Sequence, residues 1–387
     1  MKRASDTRLL SRRGFLRLAG AAAGGLLAES ALSAAPLAHA GGLPGPATSG
    51  AAGRVGVLLP VSNLYPELGR NFLSGLQLAG PLDLVVRECS AGANNPYAVA
   101  CRLLEQEGIT RLVGMIDSSA LGALGDPLAA HRATALAVSL GENVVRRNKA
   151  DARVTYHTLD LAAVAVAFGG WAARTLGRRA VLAASCYDSG YDAFAAFRLG
   201  FENAGGLVLQ TAITHQPAGG PGLAAVMQDI AAARPDFVYA AYCGVAALEW
   251  MGAYQAAGLA GAIPLAGGPM LTNESWLAAA GDAALGIITA VPGPRDVAAV
   301  AAKAGAAPGH PGAPAELLAL LGYETGRILT GQPLGGRPVV VRVVQRQDGG
   351  LVNTVRQTLN SPGDGDPVLV TLRQGLHTGW LHPYLGL

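Results

Sequence analysis

The sequence is poor in charge, aromatic rings and thiols. Charged side chains make up 14% of its 387 residues and aromatic ones 5%, against 51% hydrophobic, and cysteine occurs four times. With no Cys-x-x-Cys spacing, these cysteines do not form a recognisable metal motif, and no metal site is expected. No Gly-x-Ser-x-Gly elbow surrounds any serine, and the seven histidines are scattered, so a triad drawn from Ser118, His131 or His157, and Asp160 has no motif behind it. No Gly-x-Gly-x-x-Gly follows the first strand-like run, which removes the dinucleotide fingerprint, and no cofactor is expected. Beyond the N-terminus, no apolar run reaches the roughly 20 residues that a membrane span needs.

What is present begins with a targeting signature. Ser11-Arg12-Arg13-Gly14-Phe15-Leu16 is a twin-arginine pattern, followed by a glycine-diluted apolar run and by Ala38-His39-Ala40, a small-residue cleavage site. Residues 1–40 therefore read as a signal peptide cleaved after Ala40, with the twin-arginine translocase as export partner and the periplasm as destination. The first cysteine after that site is Cys89, which argues against a lipid anchor. The signal carries six basic and two acidic side chains, so a chain of formal net charge +3 becomes a mature protein near −1. That balance gives no reason to expect nucleic acid as a partner.

Residues 41–53 form a Gly/Ala/Pro linker. Order begins at Arg54-Val-Gly-Val-Leu-Leu-Pro60, a strand-like run stopped by proline. Helix patterns over 67–79, 96–107 and 121–132 then alternate with strand patterns over 82–87, 111–116 and 135–139. The pattern pauses over 151–158 and a helix follows over 161–176. Alternation resumes with strands over 180–185, 207–213, 236–242, 263–267 and 285–290, between helices near 191–204, 222–233, 245–257 and 273–280. Residues 292–314 are a Pro/Gly/Ala-rich crossover, 315–330 read as a helix, and the tail has strand-like runs at 338–344 and 368–372. Strict βα alternation predicts an α/β fold, with parallel sheets covered by helices on both faces. Two such units of similar size are visible, and a mature length of about 347 residues implies two domains more often than one.

The order of elements carries a resemblance, as do the phrases Arg54-Val-Gly-Val-Leu-Leu-Pro, Leu112-Val-Gly-Met-Ile-Asp-Ser-Ser-Ala, Cys186-Tyr-Asp-Ser-Gly-Tyr, Pro235-Asp-Phe-Val-Tyr-Ala-Ala-Tyr and Leu285-Gly-Ile-Ile-Thr-Ala. Together they resemble the type I periplasmic solute-binding proteins of ABC transporters, in the branched-chain amino acid (Leu/Ile/Val-binding) group, over about residues 54–330. The resemblance implies two doubly wound parallel-sheet lobes joined by a three-strand hinge, with a ligand cleft between them. Lobe 1 would hold 54–157 plus about 290–330, and lobe 2 would hold 158–289 plus about 331–387. It also implies a function: capture of a small polar or amino-acid-like molecule by lobe closure, and delivery to an ABC permease in the inner membrane. A ligand-sensing receptor module of the same fold is the alternative, and an exported hydrolase is a more distant one.

Ligands of parallel sheets sit beyond the carboxyl ends of the strands. The Asp117-Ser118-Ser119 turn lies there, and the resemblance implies that Ser118 and Ser119 hold a ligand carboxylate; the same serines also read as helix caps. Gly141, Glu142 and Asn143 stand where the resemblance implies a small-residue turn touching the ligand, and a carboxylate there would repel another. Tyr187 and Tyr191 flank the turn of a βαβ unit over 179–211, Tyr242 ends a strand, and Tyr65 lies in the first loop. Such rings serve clefts and cores alike. The resemblance implies an acid for a ligand ammonium after the 263–267 strand. Here Gly267-Gly-Pro-Met270 has none before Glu274, and Met270 points to an apolar contact. Cys186 and Cys243 each end a strand, in the usual order neighbouring ones, and read either as a disulfide or as free thiols; Cys89 and Cys101 are expected free.

Overall fold

The computed structural model describes residues 53–374, apart from 63–66, 91, 145–151, 217–218, 294–315, 333–335, 346, 348 and 364. The signal peptide, nearly all of the linker, Tyr65 and most of the 292–314 crossover lie outside the described residues. Among the described residues, no helix is long and apolar enough to cross a membrane.

The first sheet contains β1 (Val55–Pro60), β2 (Leu84–Cys89), β3 (Arg111–Gly114), β4 (Thr134–Ser139) and β5 (Val154–Thr158), all parallel in the order β2-β1-β3-β4-β5. Every residue of β1 is buried, as expected of a parallel strand covered on both faces. The helices in this half are α1 (Leu68–Leu78), α2 (Pro96–Glu107), α3 (Ser118–Ala123) and α4 (Gly125–Ala130). Local chemistry sets the limits of α2. Asn95 caps it by accepting from the Ala98 N–H, Pro96 fills its first turn, and Gly108 ends it in the left-handed region.

The second sheet has seven strands: β6 (Arg179–Ser185), β7 (Leu207–Thr214), β8 (Phe237–Ala241), β9 (Leu265–Gly267), β10 (Ile288–Val291), β11 (Val339–Gln345) and β12 (Leu351–Thr358). Their order is β12-β11-β10-β9-β8-β6-β7, with β6 to β10 parallel and β11 antiparallel to both of its neighbours. The helices α5 (Leu161–Thr175), α6 (Asp192–Asn203), α7 (Leu223–Ala233), α8 (Gly244–Ala256) and α9 (Glu274–Ala280) alternate with these strands. Beneath α5 and α6 lies an aromatic core in which Phe197 stacks on Tyr239 and Phe201 meets Phe237 edge-on.

The chain then returns to the first sheet. Helix α10 (Leu317–Leu329) follows β10 in sequence yet packs against α1, close enough that a Cβ on Gly75 would strike the Ala319 carbonyl and one on Gly322 the Phe72 carbonyl. After α10 the chain rejoins the second sheet at β11. It passes between the two sheets three times: after β5, after β10 and after α10.

Four local expectations change. The pause at 151–158 contains β5, whose Tyr156 and His157 pair with Ala137 and Val138 on β4. The 368–372 run is a helix, α11 (Pro367–Gln374), because Asp366 accepts from the Val368 N–H at 2.9 Å and Val368, Leu369 and Leu372 share one buried face. Polar β12 lacks an apolar run to announce it, and is held by its pairing with β11. The 121–132 helix begins earlier and divides at Leu124 into α3 and α4.

Candidate functional site

The carboxyl ends of the parallel strands of both sheets carry the polar groups singled out by the sequence. After β4, the Ser139 hydroxyl accepts from the Gly141 N–H at 3.1 Å, and Gly141 takes φ +79°, with the Asp160 backbone where a Cβ would stand. This turn projects Glu142, Asn143 and Val144 onto the start of α6 in the other lobe. The Ala193 N–H donates to the Glu142 carbonyl at 2.8 Å, the Val144 N–H to Asp192 Oδ2 at 2.9 Å, and the Asp192 N–H to Asn143 Oδ1 at 3.1 Å. The residue before α6, Tyr191, offers no side-chain cap of its own. Asn143 supplies an acceptor there from 49 residues away.

The turn after β6 folds around Asp188, which is buried. Ser185 Oγ donates to Asp188 Oδ2 at 2.5 Å and accepts from the Asp188 N–H at 3.0 Å. Cys243 adds hydrogen bonds from its thiol and backbone, and His215 a favourable charge. At the end of β7, Thr214 Oγ1 contacts His215 Nδ1 at 2.7 Å and the Tyr242 hydroxyl at 3.0 Å, while His215 Nε2 pairs with Glu249 Oε2 at 2.9 Å. Tyr242 stacks on Trp250 at 4.5 Å.

The electrostatics of the site are dominated by withdrawal from water. Burial first, and then the Asp188 charge, push Glu142 up to about 8, opposed by the neighbouring Tyr191 hydroxyl, which favours the ionised form. Burial pushes Asp188 up to about 6, opposed by Ser185, Cys243 and His215. Tyr239 and Tyr242 are raised for the same reason, burial first.

The predicted residues thus separate into groups. Glu142, Asn143 and Tyr191 meet, and Tyr242 joins them through the Thr214, His215 and Asp188 network. Tyr187 stands 39% exposed on the turn after β6, and Met270 is buried within the turn that follows β9. Ser119 is exposed at the start of α3, where Asp117, rather than either serine, caps the helix by accepting from the Ser119 and Ala120 N–H groups. Of Ser118, the structure describes only the backbone position, as the first residue of α3. None of the four cysteines is in a disulfide, and the Cys186 thiol donates to the His215 carbonyl at 2.9 Å. Sequence reasoning missed Asp188, Ser185 and Thr214. Asp188 lies inside the quoted Cys-Tyr-Asp-Ser-Gly turn, but an Asp before Ser-Gly reads first as turn chemistry.

Two α/β lobes with parallel sheets, linked by three passages of chain and facing each other through their carboxyl-end loops, make up the class of two-lobed binding proteins that hold a ligand between lobes. The chain belongs to the periplasmic binding protein family, whose model matches residues 53–330. Among solved structures it is similar to an ABC transporter substrate-binding protein from Sphaerobacter thermophilus, at 24% identity over 80% of this chain and 98% of that one, with a TM-score of 0.66. A solute-binding protein of an ABC transporter from Rhodopseudomonas palustris, solved in complex with 3,4-dihydroxybenzoic acid, matches at 19% identity over 81% and 98% of the chains, with a TM-score of 0.62. A leucine-binding protein from Thermotoga maritima matches at 15% identity over 79% and 98%, with a TM-score of 0.54. No curated protein matches the sequence. The family is one of solute-binding proteins and is typically not enzymatic.

Proposed function

We propose that this protein is an extracytoplasmic solute-binding protein that closes its two lobes on a small polar or amino-acid-like molecule and delivers it to an ABC permease in the inner membrane. It would reach the periplasm by the twin-arginine route, losing residues 1–40. The lobes would be 54–157 with about 290–330, and 158–289 with the remainder, turning about the three passages between the sheets.

The observation that carries this reading is the meeting of the β4 turn, from the first sheet, with the β6 turn and α6, from the second, at the strand ends where parallel sheets bind ligands. The binding set would include Ser118, Ser119, Gly141, Glu142, Asn143, Tyr187, Tyr191, Tyr242 and Met270, with Tyr65 as a further wall. Structural neighbours include binders of aromatic acids and a leucine-binding protein. The finer assignment to the branched-chain amino acid group draws on the second of these.

The test is a thermal-shift screen of amino acids, amides, amines, aromatic acids and small alcohols against the purified protein. A ligand at a hundredfold excess over its dissociation constant stabilises the native state by about 2.7 kcal/mol. Tyr187→Ala, at an exposed position, is expected to reduce the shift while leaving the ligand-free melting point nearly unchanged. A folded protein that no compound stabilises would refute the capture reading.

A further inference from the structure

We propose that the second lobe carries a small-molecule site of its own, apart from the cleft between the lobes, and that this site takes a zwitterion: an anionic group for Arg174, a cationic group for Asp366 and an apolar body between them. The proposal stands independently of solute capture in the cleft.

A cavity of about 640 Å³ opens between α5, α6 and the segment that leads from β12 into α11. That volume suits a small organic ligand. None of the turns that carry Glu142, Asp188 or His215 lines it. Two walls are fixed by close packing of α5 on α6. A Cβ on Gly169 would lie 2.3 Å from the Phe197 carbonyl oxygen, and one on Gly200 would lie 2.4 Å from the Val166 carbonyl oxygen. The third wall is tied on by Trp171, whose indole N–H donates to Gln357 Oε1 on β12 at 2.9 Å. Trp171 and Gln357 both line the cavity, so its shape is set by bonded groups.

Gly170, on the same lining, differs from its glycine neighbours. A Cβ there would meet the Arg174 guanidinium at 3.5 Å and the Gly200 carbonyl oxygen at 3.8 Å, which are ordinary contacts. Packing therefore does not demand glycine at this helical position, where alanine would be favoured by about 1 kcal/mol. The missing side chain leaves open floor, with the guanidinium folded across it.

The charged side chains that line the cavity are Arg174 and Asp366, of opposite sign. Among the described residues, neither is in an ion pair, with the other or with a third group. Asp366 accepts from the Val368 N–H at 2.9 Å, which fills one of about four positions on its carboxyl. A ligand carboxylate would take two N–H groups of the Arg174 fork, and an ammonium would take free positions on Asp366. A ligand with one charge would gain one of these contacts and leave the other group unanswered. Val166, Leu359 and Val368 line the space for the apolar body.

Two tryptophans read the two sites separately. Trp171 lines the cavity, whereas Trp250 stacks on Tyr242 in the network beside the cleft. The test is fluorine NMR of the purified protein labelled with fluorotryptophan, its signals assigned by Trp171→Phe and Trp250→Phe. The probes are matched triplets: phenylalanine, phenethylamine and hydrocinnamate, then leucine, isopentylamine and isocaproate. At least one amino acid is expected to move the Trp171 signal with half-saturation about tenfold or more below that of its singly charged partners. Arg174→Gln and Asp366→Asn should each weaken that response about tenfold or more. Gly170→Ala, which fills the floor, should weaken it as well while leaving the melting temperature unchanged or higher. A Trp171 signal that no probe moves, equal responses within each triplet, or a response indifferent to these three substitutions overturns the site. Movement of Trp250 alone also overturns it and leaves solute capture standing. A Trp171 response that the substitutions weaken, with Trp250 still throughout, upholds the second site whatever becomes of the cleft.

Discussion

Glu142 makes the folded protein sensitive to alkali. Its carboxyl titrates near 8 when folded against an ordinary value of 4.5, so between those limits the native state holds a proton that the unfolded chain has released. Stability therefore falls with rising pH: the contribution is complete below about 4.5 and gone once the pH has passed through about 8. Asp188 acts in the same direction at lower pH, between 3.8 and about 6. The melting temperature is expected to decline from about pH 5 to about pH 8, and Glu142→Gln to flatten the upper part of that decline and melt higher than the parent at the alkaline end. A parent profile that is flat or rises over this window would refute the raised Glu142 carboxyl. Tyr191 works against the trend, since its hydroxyl favours the ionised form.

Among the elements, the joint between the β4 turn and α6 determines how the lobes meet. Asn143 and Asp192 each accept from the backbone of the other's segment, and all four groups are buried. Removing either acceptor leaves a buried N–H without its partner, at a cost of about 1–3 kcal/mol. Asn143→Ala and Asp192→Ala should each lower the unfolding free energy by that amount, read from the urea midpoint, while Asp192→Asn, which keeps an acceptor oxygen, should lower it less. The double alanine variant is expected to depart from additivity, because the two bonds brace one turn.

The sequence made legible the elements whose signals are local. Buried β1, the Asn95-Pro96 start of α2, the Ala180–Ala184 run in β6 and the βαβ unit around it all follow from apolar period and cap chemistry. It hid the elements that tertiary pairing makes, namely β5 against β4 and polar β12 against β11. It also hid α11, where the Asp366-Pro367 start outweighs the β-branched residues that followed. In the site, Glu142 was visible as an odd residue at a strand end. Asp188 was not, since its meeting with Glu142 depends on how two separate sheets face each other, and no spacing along the chain encodes that.

At the scale of the whole molecule, α1 and α10 are joined glycine to backbone, with Gly75 and Gly322 allowing the helices to touch. A Cβ at Gly322 would overlap the Phe72 carbonyl, and helices cannot separate locally without opening the core around Phe72 and Leu76. Gly322→Ala should cost about 1–3 kcal/mol, read as a lower denaturant midpoint with an unchanged slope. Full retention of stability would show that α10 seats elsewhere.

The three passages between the sheets also have a consequence for synthesis. The first half of the chain cannot finish folding as it leaves the ribosome, because the helix that covers α1 ends at Leu329, long after β5 has been made. Until then α1 shows a bare apolar flank to the cytoplasm. The second half waits as well, for β11 and β12 near its far end. Neither sheet is completed by one continuous stretch of nascent chain: the first waits for α10, the second for β12.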